Sequence, residues 1–599
     1  MKDLIKNINE EIKKAYVANG YDPTYAYISV SGFPDLADYQ INTCFNLAKI
    51  LKKNPLDVAS EIASIIKDIS IDGIKVFENV EPSKPGFVNL KINDLLLSTY
   101  MSEVVTDEKL GIDKVYISDN NLPKGILLDY GGANVAKPLH VGHLRVAVIG
   151  EALKRLYNRL SIKTIADVHL GDYGLQMGLV IEELKDEGKL QDFTISDLEI
   201  VYPKASLRAK GDKIKGIEPD IEFNKRAHES TKKLQDNIEP ELSIWKKILE
   251  ISIEDLKKRY AELNVSFDYY YGESTVKDIM GPMVDDLIKS GIAYESDGAY
   301  VIDVKEDTDK KEMPPCIVRK SDGAVLYATS DLATIKFREE NFDVDEYVYV
   351  VDKRQSLHLE QCFRAAKIAG LVKGDKKFMH VAVGTMNGPD GKPFKSRDGG
   401  VVKLETLINE AKEKAKVALK ENDRSIDESD IEKIAKIIAI AALKYGDLSN
   451  SPTRDYNFSI DKFLSFQGNT GPYILYTLVR IKSIYEKMSL ENVSTKKDVV
   501  VRSIQSGKVS FDSVIHKLLL KAIRYKDVLL EAYKSYDPSV ICKYIYELSN
   551  DFNSFYHEHS IINESDSEKK SFYIFILDIV DKIVRDALSI LAIDVPDRM

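Results

Sequence analysis

Cysteine is scarce in this sequence of 599 residues, which contains four. Cys44, Cys316, Cys362 and Cys542 lie far apart, and no two of them form a CxxC pair. A disulfide frame or a zinc knuckle depends on cysteines at short, regular spacing. The sequence therefore argues against both kinds of protein and predicts reduced, structural thiols in a cytosolic chain.

Long hydrophobic runs, repeats of fixed period and low-complexity tracts are also missing. No apolar run reaches roughly 18 residues, the length that a membrane span requires, so no span is expected. Residues 1–16 form an amphipathic pattern with acids among its lysines, which fits neither a signal peptide nor a transit peptide. These absences predict a cytoplasmic protein.

Composition and length favour a large globular protein of several domains. Hydrophobic residues make up 44% of the chain and charged residues 30%, which leaves enough apolar material for sizeable cores. A chain of this length predicts about three to five domains. The net charge of −11 argues weakly against non-specific coating of nucleic acid. Local basic strips still permit a specific RNA partner.

Residues 1–105 are predicted to form a small α+β module. Helical patterns cover 4–19, 39–53 and 55–68. A turn rich in proline and glycine then introduces a strand at 86–92. The sequence pattern changes after this module, so a different kind of domain is expected to follow it.

Alternating strands and helices predict a Rossmann-like α/β domain with a parallel sheet over 118–400. A charged helical insertion is expected within it at about 183–320. The predicted strands are 126–128, 164–168, 299–304, 324–327, 344–351 and 379–383. Ligands bind at strand ends in such sheets, so His169 and Asp172 are expected to line one crevice.

Beyond residue 401 the strand signals stop. Residues 401–462 predict a helical connector, and 463–599 predict an all-α bundle. The predicted helices are 404–422, 429–445, 459–488, 512–534, 538–557 and 569–592. The chain is thus predicted to be a multidomain protein with an α+β module, a Rossmann-like centre and a helical C-terminal bundle.

A strand, a glycine-containing loop and a helix N-terminus follow one another in 126–150. Free backbone N–H groups and the helix dipole make such a helix end an anion site. The motif HVGH at 140–143 adds two imidazoles there. The candidates for phosphate contact are Lys137, His140, Gly142 and His143. A metal site would need a third and usually a fourth ligand, which this helix does not offer, so no metal is predicted. A purely structural histidine pair is the other alternative.

The second phosphate signal is the loop GKPFKSRDGG at 391–400. Glycines at both ends allow the loop to move, and three cations inside it can clamp a polyphosphate. Its candidate residues are Lys392, Lys395, Ser396 and Arg397. Taken alone, the loop fits a solvated basic turn equally well.

Together the two signals resemble the paired signatures of class I aminoacyl-tRNA synthetases, and the surrounding segments resemble one family, the arginyl-tRNA synthetases. The matching segments occur in the family's order: NVAKPLHVGHLR, HLGDYGLQMG, LNVSFDYYYGES, LYATSDLATIKFR, RQSLHLEQ, LSFQGNTGPYILY and LAIDVPDRM. They cover roughly residues 80–599. The resemblance is therefore long and specific.

The resemblance implies a two-step reaction in which ATP, with Mg²⁺, activates L-arginine and the arginyl group then passes to the 2′-hydroxyl of tRNA(Arg). It also implies a monomer that binds no DNA and that activates arginine only once tRNA is bound. Two alternatives are another class I synthetase, such as the cysteine or glutamate enzyme, and a catalytically inactive RNA-binding paralogue. The cysteine enzyme would need zinc ligands that this cysteine spacing does not provide.

A guanidinium group has five N–H donors in a fixed planar arrangement. A site that binds it is therefore expected to place carboxylates in a planar slot. The resemblance places seven residues around the substrate arginine: Asp129, Asn134, His169, Glu273, Tyr327, Asp331 and Gln355. Asp331 matches the acid that binds the guanidinium, and Tyr327 the neighbouring wall. Asp129 and Asn134 match positions that hold the α-amino and carboxylate groups.

The chain departs from the class in its KMSKS signature, which here is KPFKS or FKSRDG, depending on alignment. Either Lys395 takes the place of the catalytic lysine, or Ser396 occupies it and the lysine is lost. In the second case Lys137, three residues before His140, would supply the missing charge to ATP.

The resemblance also assigns tRNA contacts, with the anticodon on the C-terminal bundle and the D-loop on the N-terminal module. The candidates are Phe87, Asn89, Tyr473, Tyr476, Arg480 and Met599. Tyr473, Tyr476 and Arg480 fall near one helical face, and this aromatic and basic pattern suits stacking on splayed bases. An aromatic core position is the alternative for at least one of the tyrosines.

Overall fold

A computed structural model describes residues 3–112, 121–190, 192–212, 216–321, 327–388, 390–392, 402–422, 427–488, 497–506, 509 and 511–599. The elements of the N-terminal module are α1 (Leu4–Ala18), β1 (Ser29–Val30), β2 (Tyr39–Ile41), α2 (Cys44–Leu51), α3 (Pro55–Ile66), β3 (Ser70–Ile71), β4 (Ile74–Lys75), β5 (Phe77–Ser83), β6 (Phe87–Ile92) and α4 (Asp94–Val104). An antiparallel sheet in the order β1-β2-β6-β5 carries the helices.

The helix predicted over 39–53 is wrong at its start. Tyr39–Ile41 is a strand, in which Tyr39 and Ile41 are buried and the intervening residue is partly exposed. This alternation matches the period of a strand, and Tyr39 pairs with Leu90 of β6. The helix begins only at Cys44.

The central domain supplies most of the remaining strands. Its elements are β7 (Gly125–Tyr130), α5 (Val141–Arg159), β8 (Lys163–Asp167), α6 (Leu175–Asp186), α7 (Ile195–Lys210), α8 (Ile221–Gln235), α9 (Glu241–Glu262), α10 (Lys277–Lys289), β9 (Tyr294–Ser296), β10 (Ala299–Ile302), β11 (Cys316–Arg319), α11 (Tyr327–Asn341), β12 (Glu346–Asp352), α12 (Ser356–Ile368), β13 (Lys377–Val383) and β14 (Met386–Asn387). Two 3₁₀ turns, Glu273–Val276 and Lys353–Gln355, lie next to the loops described below.

Four of these strands form a parallel sheet in the order β13-β12-β7-β8. The chain runs from β7 outward to β8, then returns beside β7 as β12 and continues to β13. The order therefore reverses between β7 and β12, where Asp129 pairs with Tyr349. In doubly wound sheets the ligand crevice opens at this switch point, beyond the carboxyl ends of the strands.

Strand β7 is buried along its whole length because both faces of the sheet are covered. Leu127 joins a core formed with α10, α11 and α12. Ile126 and Leu128 face the opposite way, into the larger core that contains α5 and the C-terminal helices. This double covering fixes the end of β7, where the polar loop begins.

The insertion consists of α6 to α10 and a small antiparallel sheet in the order β11-β10-β9. The expected helical stretch and the strand expected at 299–304 are both present. The strand predicted at 324–327 is wrong at Tyr327, which opens α11. Positions 324–326 lie outside the described residues.

The C-terminal elements are α13 (Leu404–Asn422), α14 (Glu428–Leu448), β15 (Tyr456–Asn457), α15 (Ile460–Phe463), α16 (Gly471–Lys487), α17 (Lys497–Gln505), α18 (Ser513–Ala522), α19 (Tyr525–Ser535), α20 (Ser539–Glu558) and α21 (Ser567–Ile590). The single helix predicted over 459–488 is wrong. Gly468 has a left-handed φ of +79°, and the Thr470 side chain then caps a new helix by accepting from the backbone of Tyr473. The helix predicted over 512–534 is also divided, into α18 and α19. The predicted fold class is confirmed.

His516 joins the N-terminal module to the helical bundle. This buried residue of α18 lies between two carboxylates, with Nδ1 2.5 Å from Asp94 and Nε2 3.0 Å from Asp38. These carboxylates raise the pKa of His516 to about 9, although burial opposes the shift. Across the described parts of the chain, none of the helices combines the length and apolar character that a bilayer crossing requires.

Candidate active site

The HVGH segment closes the N-terminus of α5 with both of its imidazoles. Nδ1 of His140 accepts from the backbone of Gly142 at 3.1 Å, and Nδ1 of His143 accepts from the backbone of His140 at 3.0 Å. The two rings lie 3.8 Å apart between centroids. A Cβ at Gly142 would lie 2.8 Å from Cε1 of His140, so only glycine fits beneath this ring.

Both imidazoles are neutral near pH 7. Burial, followed by the charge of Lys137, lowers the pKa of His140 to about 4. Burial also lowers the pKa of His143 well below its usual value. Because Nδ1 is an acceptor in each ring, the proton of each neutral ring is assigned to Nε2. The motif thus offers uncharged N–H donors at a helix N-terminus.

The residues that follow the second predicted phosphate segment lie beside the HVGH segment. Val141 donates its backbone N–H to Val402 at 3.1 Å, and Leu404 donates to Leu139 at 3.0 Å. The chain that follows the lysine-rich loop is therefore tied to the HVGH segment. Lys392 is described, and its carbonyl accepts from Gly388 at 2.7 Å. The predicted residues Lys395, Ser396 and Arg397 lie outside the described residues.

A basic cavity of about 490 Å³ opens beside His140. Its polar lining residues include Lys137, His140, Glu199, Tyr202, Lys210 and Lys403. The ammonium of Lys137 lies 5.9 Å from the centre of the Tyr202 ring. Burial, aided by the charge of Lys210, lowers the pKa of Lys137. The cavity therefore holds several cations around a space that is large enough for part of a nucleotide.

An acidic cavity of about 470 Å³ opens at the switch point of the sheet. It brings together all seven residues that were expected around the amino acid: Asp129, Asn134, His169, Glu273, Tyr327, Asp331 and Gln355. The first half of the loop after β7 lines this cavity, and its second half, from Lys137 onward, lines the basic cavity. One loop thus lines both the acidic and the basic cavity.

Asp129 at the end of β7 is already paired within the protein. Arg338 of α11 donates to Asp129 at 2.7 Å and to Asp167, at the end of β8, at 2.8 Å. Arg338 is 1% exposed, so this ion pair joins two adjacent strand ends inside the core. Asp129 therefore reaches the cavity with its charge balanced and its position fixed.

The side chain and the backbone of His169 both have features that are typical of a ligand-binding residue. Among the residues that the structure describes, neither of its buried ring nitrogens has a hydrogen-bond partner. Its backbone φ of +39° lies in the left-handed region, which side-chain-bearing residues rarely adopt. An unpaired buried imidazole costs free energy, which a polar ligand group in the acidic cavity would offset.

Glu273 faces the same cavity from the first position of a 3₁₀ turn. Burial raises its pKa to about 7. Asp172 fixes this turn, because its carboxylate accepts from the backbone of Ser274 at 3.0 Å and from its hydroxyl at 2.5 Å. Asp172 is thus hydrogen-bonded to Ser274. The expectation that Asp172 lines the crevice is wrong, whereas His169 does line the acidic cavity.

Asp331 lies one turn into α11 and is held by His358 of α12. The Oδ2 atom of Asp331 and Nε2 of His358 are 2.5 Å apart. The hydrogen bond to Asp331 raises the pKa of His358. This contact uses one of the two carboxylate oxygens, and both side chains line the acidic cavity.

Sequence reasoning missed His358 and Arg338, although their spacing contains the signal. His358 follows the predicted Gln355 by three positions at the start of α12, so the two lie near one face. Arg338 follows Asp331 by seven positions, which is two turns of α11. Both were visible as charged or titratable neighbours of predicted residues.

The predicted tRNA-contact residues of α16 differ in exposure. Tyr473 is packed, since its hydroxyl donates to Asn550 at 2.5 Å and accepts from Asn553 at 2.7 Å. Tyr476 is 41% exposed, and the guanidinium of Arg480 lies 4.8 Å from its ring. Tyr476 is thus the exposed tyrosine of the two, and Arg480 lies against its ring.

The remaining predicted tRNA contacts lie at the two ends of the chain. Phe87 packs edge-on against Phe45 at 5.1 Å, and Asn89 accepts from Gln40 at 2.8 Å. Met599 is partly buried against the main core. Phe87 and Asn89 alternate with buried residues of β6 and so share its outer face.

A doubly wound sheet with HVGH at its switch point defines the catalytic domain of a class I tRNA synthetase, and the family model "tRNA synthetases class I (R), catalytic domain" matches residues 107–460. Two further models match the flanks: "Arginyl tRNA synthetase N terminal domain" at residues 2–92 and "DALR anticodon binding domain" at residues 474–599. The chain belongs to the arginyl-tRNA synthetase family.

Relatives agree over the whole length of the chain. It is 42% identical to proteins named arginine–tRNA ligase from Agathobacter rectalis and from Alkaliphilus oremlandii, with all of each chain covered. Its fold is similar to that of the arginyl-tRNA synthetase from Plasmodium falciparum, with a TM-score of 0.80, 24% identity and full coverage of both chains. The Thermus thermophilus enzyme gives a TM-score of 0.74 at 19% identity, covering 99% of this chain and 100% of its own.

Proposed function

We propose that the acidic and basic cavities together activate L-arginine with ATP and that the arginyl group is then transferred to tRNA(Arg). The observation that carries this proposal is the gathering of the seven expected residues in one cavity next to the HVGH cap. Buried carboxylates favour a cationic amino acid over the substrates of other class I enzymes.

In the first step a carboxylate oxygen of arginine attacks the α-phosphorus of ATP. The bond from this phosphorus to the bridging oxygen of diphosphate breaks, and diphosphate leaves. Positioning and charge stabilisation dominate such a reaction. His140 and His143 act as neutral donors to the α-phosphate region, and Lys137 or Lys395 supplies positive charge. Removing one preorganised donor typically costs about 3–4 kcal/mol of barrier.

Arginine lies with its guanidinium between Asp331 and Glu273, against the ring of Tyr327. The second oxygen of Asp331 accepts from the guanidinium while His358 holds the first. The buried acid Glu273 gains a partner whose positive charge stabilises its ionised form. At the other end of the amino acid, the polar contacts come from Asp129, Asn134, His169 and Gln355.

The nucleotide is bound by Gly142 and by the lysine-rich loop through Lys392, Ser396 and Arg397. Mg²⁺ accompanies ATP and is held chiefly by the phosphates and water, as is usual for this ion. One carboxylate, Glu199, lies among the described residues that line the basic cavity, and it is paired with Lys403 at 2.8 Å, so these residues do not form a carboxylate site for the ion.

In the second step the 2′-hydroxyl oxygen of the terminal adenosine attacks the carbonyl carbon of arginyl-adenylate, and AMP leaves. The tRNA spans the protein, with its D-loop on residues 1–105 and its anticodon on 463–599. Phe87 and Asn89 serve the first contact. The second is served by Tyr473, Tyr476, Arg480 and Met599, of which Tyr476 has the exposure that stacking requires and Arg480 lies against its ring.

The remaining parts of the proposal concern organisation. The catalytic domain covers 118–400 with its insertion at about 183–320, and 401–462 forms the connector to the anticodon domain. The protein acts as a monomer in the cytoplasm and takes RNA, not DNA, as its nucleic-acid partner.

ATP–pyrophosphate exchange tests the proposed function. Each of the standard amino acids is supplied with and without tRNA, and we expect exchange with arginine alone and only when tRNA is present. Exchange with a different amino acid would transfer the proposal to another class I enzyme. A complete lack of exchange would favour a catalytically inactive RNA-binding protein.

A further inference from the structure

Three side chains with oxygen, nitrogen and sulfur donors converge behind the acidic cavity. Asp331, His358 and Cys362 each present a ligand atom, and these atoms all lie within 4.8 Å of one another. Cys316 of β11 lies beside Cys362 of α12 and is also buried, so it can supply a fourth donor. These two cysteines are distant in sequence but adjacent in the fold.

The cluster is built on one helix face and its neighbours. His358 and Cys362 are four positions apart on α12, so their side chains lie one above the other. Nε2 of His358 faces both Asp331, at 2.5 Å, and the sulfur of Cys362, at 3.8 Å. Helices α11 and α12 thus aim three donors at one small volume, and β11 places Cys316 next to Cys362.

The chemistry of the set selects a kind of ion. Two sulfurs, an imidazole nitrogen and a carboxylate oxygen are ligands for a thiophilic divalent ion such as Zn²⁺, whereas Mg²⁺ and Ca²⁺ prefer oxygen. Bonds of about 2.0–2.3 Å in a tetrahedron separate the ligand atoms by about 3.3–3.8 Å. The nitrogen–sulfur distance of 3.8 Å already fits this range.

The nitrogen–oxygen distance of 2.5 Å is shorter and must open by about 0.8 Å for an ion to enter. The side chains of Asp331 and His358 are 30% and 34% exposed, toward the acidic cavity, so both have room to turn. The cavity also provides the entry path for the ion. Cys316 and Cys362 are buried behind them and form the rigid floor.

We propose that Asp331, His358, Cys362 and Cys316 form a binding site for one Zn²⁺-like ion, and that the bound ion excludes arginine. The exclusion rests on the proposed role of Asp331 as the guanidinium acid. A metal bound to Asp331 uses the carboxylate that the guanidinium requires and places a second positive charge beside it. Binding releases the thiol protons to solvent, because the thiolate is the form that binds metal.

Cobalt(II) added to the full-length, metal-free protein under anaerobic conditions tests the site. We expect one equivalent to bind with thiolate-to-cobalt charge-transfer absorption, and Zn²⁺ to displace it. Cys362→Ser and His358→Gln should each weaken binding at least about tenfold, and Cys316→Ser should lower the charge-transfer intensity by about half. Cys542→Ser, at a buried thiol of α20, is the matched control and should change neither. The melting temperature of each variant is measured to establish that it folds.

Lack of charge-transfer absorption in the wild-type protein, or its full retention in Cys362→Ser, would overturn the site. Unchanged intensity in Cys316→Ser would remove Cys316 from the ligand set. Competition is tested separately: millimolar arginine should raise the apparent Kd for Co²⁺, and lysine at the same concentration should not. Cobalt binding that arginine leaves unaffected would overturn the exclusion. Pyrophosphate exchange in metal-free enzyme supplied with Mg²⁺ tests the proposed function independently.

Discussion

The acidic and basic cavities have nearly equal volumes, about 470 and 490 Å³, and share one loop, yet their charges are opposite. Glu273 and Asp331 face the first, and Lys137 and Lys210 face the second. Burial shifts the pKa values of the acids and of the lysines in opposite directions. It raises the pKa of Glu273 and lowers the pKa of Lys137.

Both shifts have the same physical meaning, because burial disfavours the charged form of any group. Each cavity therefore contains half of an ion pair, and the proposed ligands complete it: a guanidinium in one and phosphates in the other. His140 lines the basic cavity and follows the loop that both cavities share. The opposite charges of the two cavities thus match the order of the charged groups in the proposed reacting complex.

Asp331→Asn should break the acidic side of this comparison with the largest effect. The substitution keeps the shape and removes the charge that pairs with the guanidinium. Losing one partner of a buried charged pair costs about 2–5 kcal/mol, so kcat/KM for arginine should fall at least about thirtyfold. The measurement is pyrophosphate exchange with varied arginine in the presence of tRNA.

The control for this variant is Glu340→Gln, which removes a charge from the exposed side of the same helix, where it pairs with Lys336. It should leave kcat/KM for arginine within about twofold. The KM for ATP should be nearly unchanged in both variants. An arginine KM within about fivefold of wild type in Asp331→Asn would contradict the assignment of this acid.

Lys137→Ala tests the basic side. If Lys137 supplies charge to ATP, its removal should cut the rate of arginine activation at least about tenfold. Lys210→Ala is the comparison, since Lys210 lines the same cavity but lies on α7, away from His140. An equal loss in both variants would assign the effect to the total charge of the cavity. A rate near wild type in Lys137→Ala would leave the role to Lys395 alone.

The parts of this protein that sequence predicted well are those in which one local pattern decides the structure. Strand β7 and helix α5 follow from an unbroken apolar run, a glycine turn and a helix-starting histidine. The resemblance named the seven residues of the acidic cavity although they are distant in sequence, and the structure places them around one cavity. Their binding roles stay a prediction. Periodicity alone does not place Glu273 beside Asp331.

The failures have particular physical reasons. The helix prediction is wrong at Tyr39–Ile41 because the strand character of this segment depends on pairing with β6, which is about 50 positions away. Asp172 was expected in the crevice because its chain position is right, but the backbone and hydroxyl of Ser274 hold it elsewhere. The neighbouring positions of Cys316 and Cys362 depend on how β11 packs against α12. In each case a contact between residues that are far apart in the sequence determines the local structure.

The pH dependence of arginine binding should sharpen the comparison at Glu273. Its pKa of about 7 means that below neutral pH the empty cavity carries a proton that arginine must displace. The KM for arginine should therefore rise about tenfold between pH 8 and pH 6. In Glu273→Gln the KM should be higher at pH 8 and should vary less with pH. A wild-type KM that is constant over this range would contradict a titrating Glu273.

His516 tests whether such pH effects belong to the cavity or to titration anywhere in the protein, and here the effect on arginine activation should be the smallest. Its pKa in the folded protein, about 9, exceeds the ordinary value of 6.5. The contact therefore stabilises the fold fully below pH 6.5 and is lost as pH rises through 9. The difference corresponds to about 3 kcal/mol. Melting temperatures between pH 6 and 10 should fall more steeply for wild type than for His516→Gln.

The arginine KM of this variant should follow the wild-type pH profile, because His516 contacts Asp38 and Asp94 and lines neither cavity. A flattened KM profile in His516→Gln would show that docking of the N-terminal module, not Glu273, controls the pH dependence.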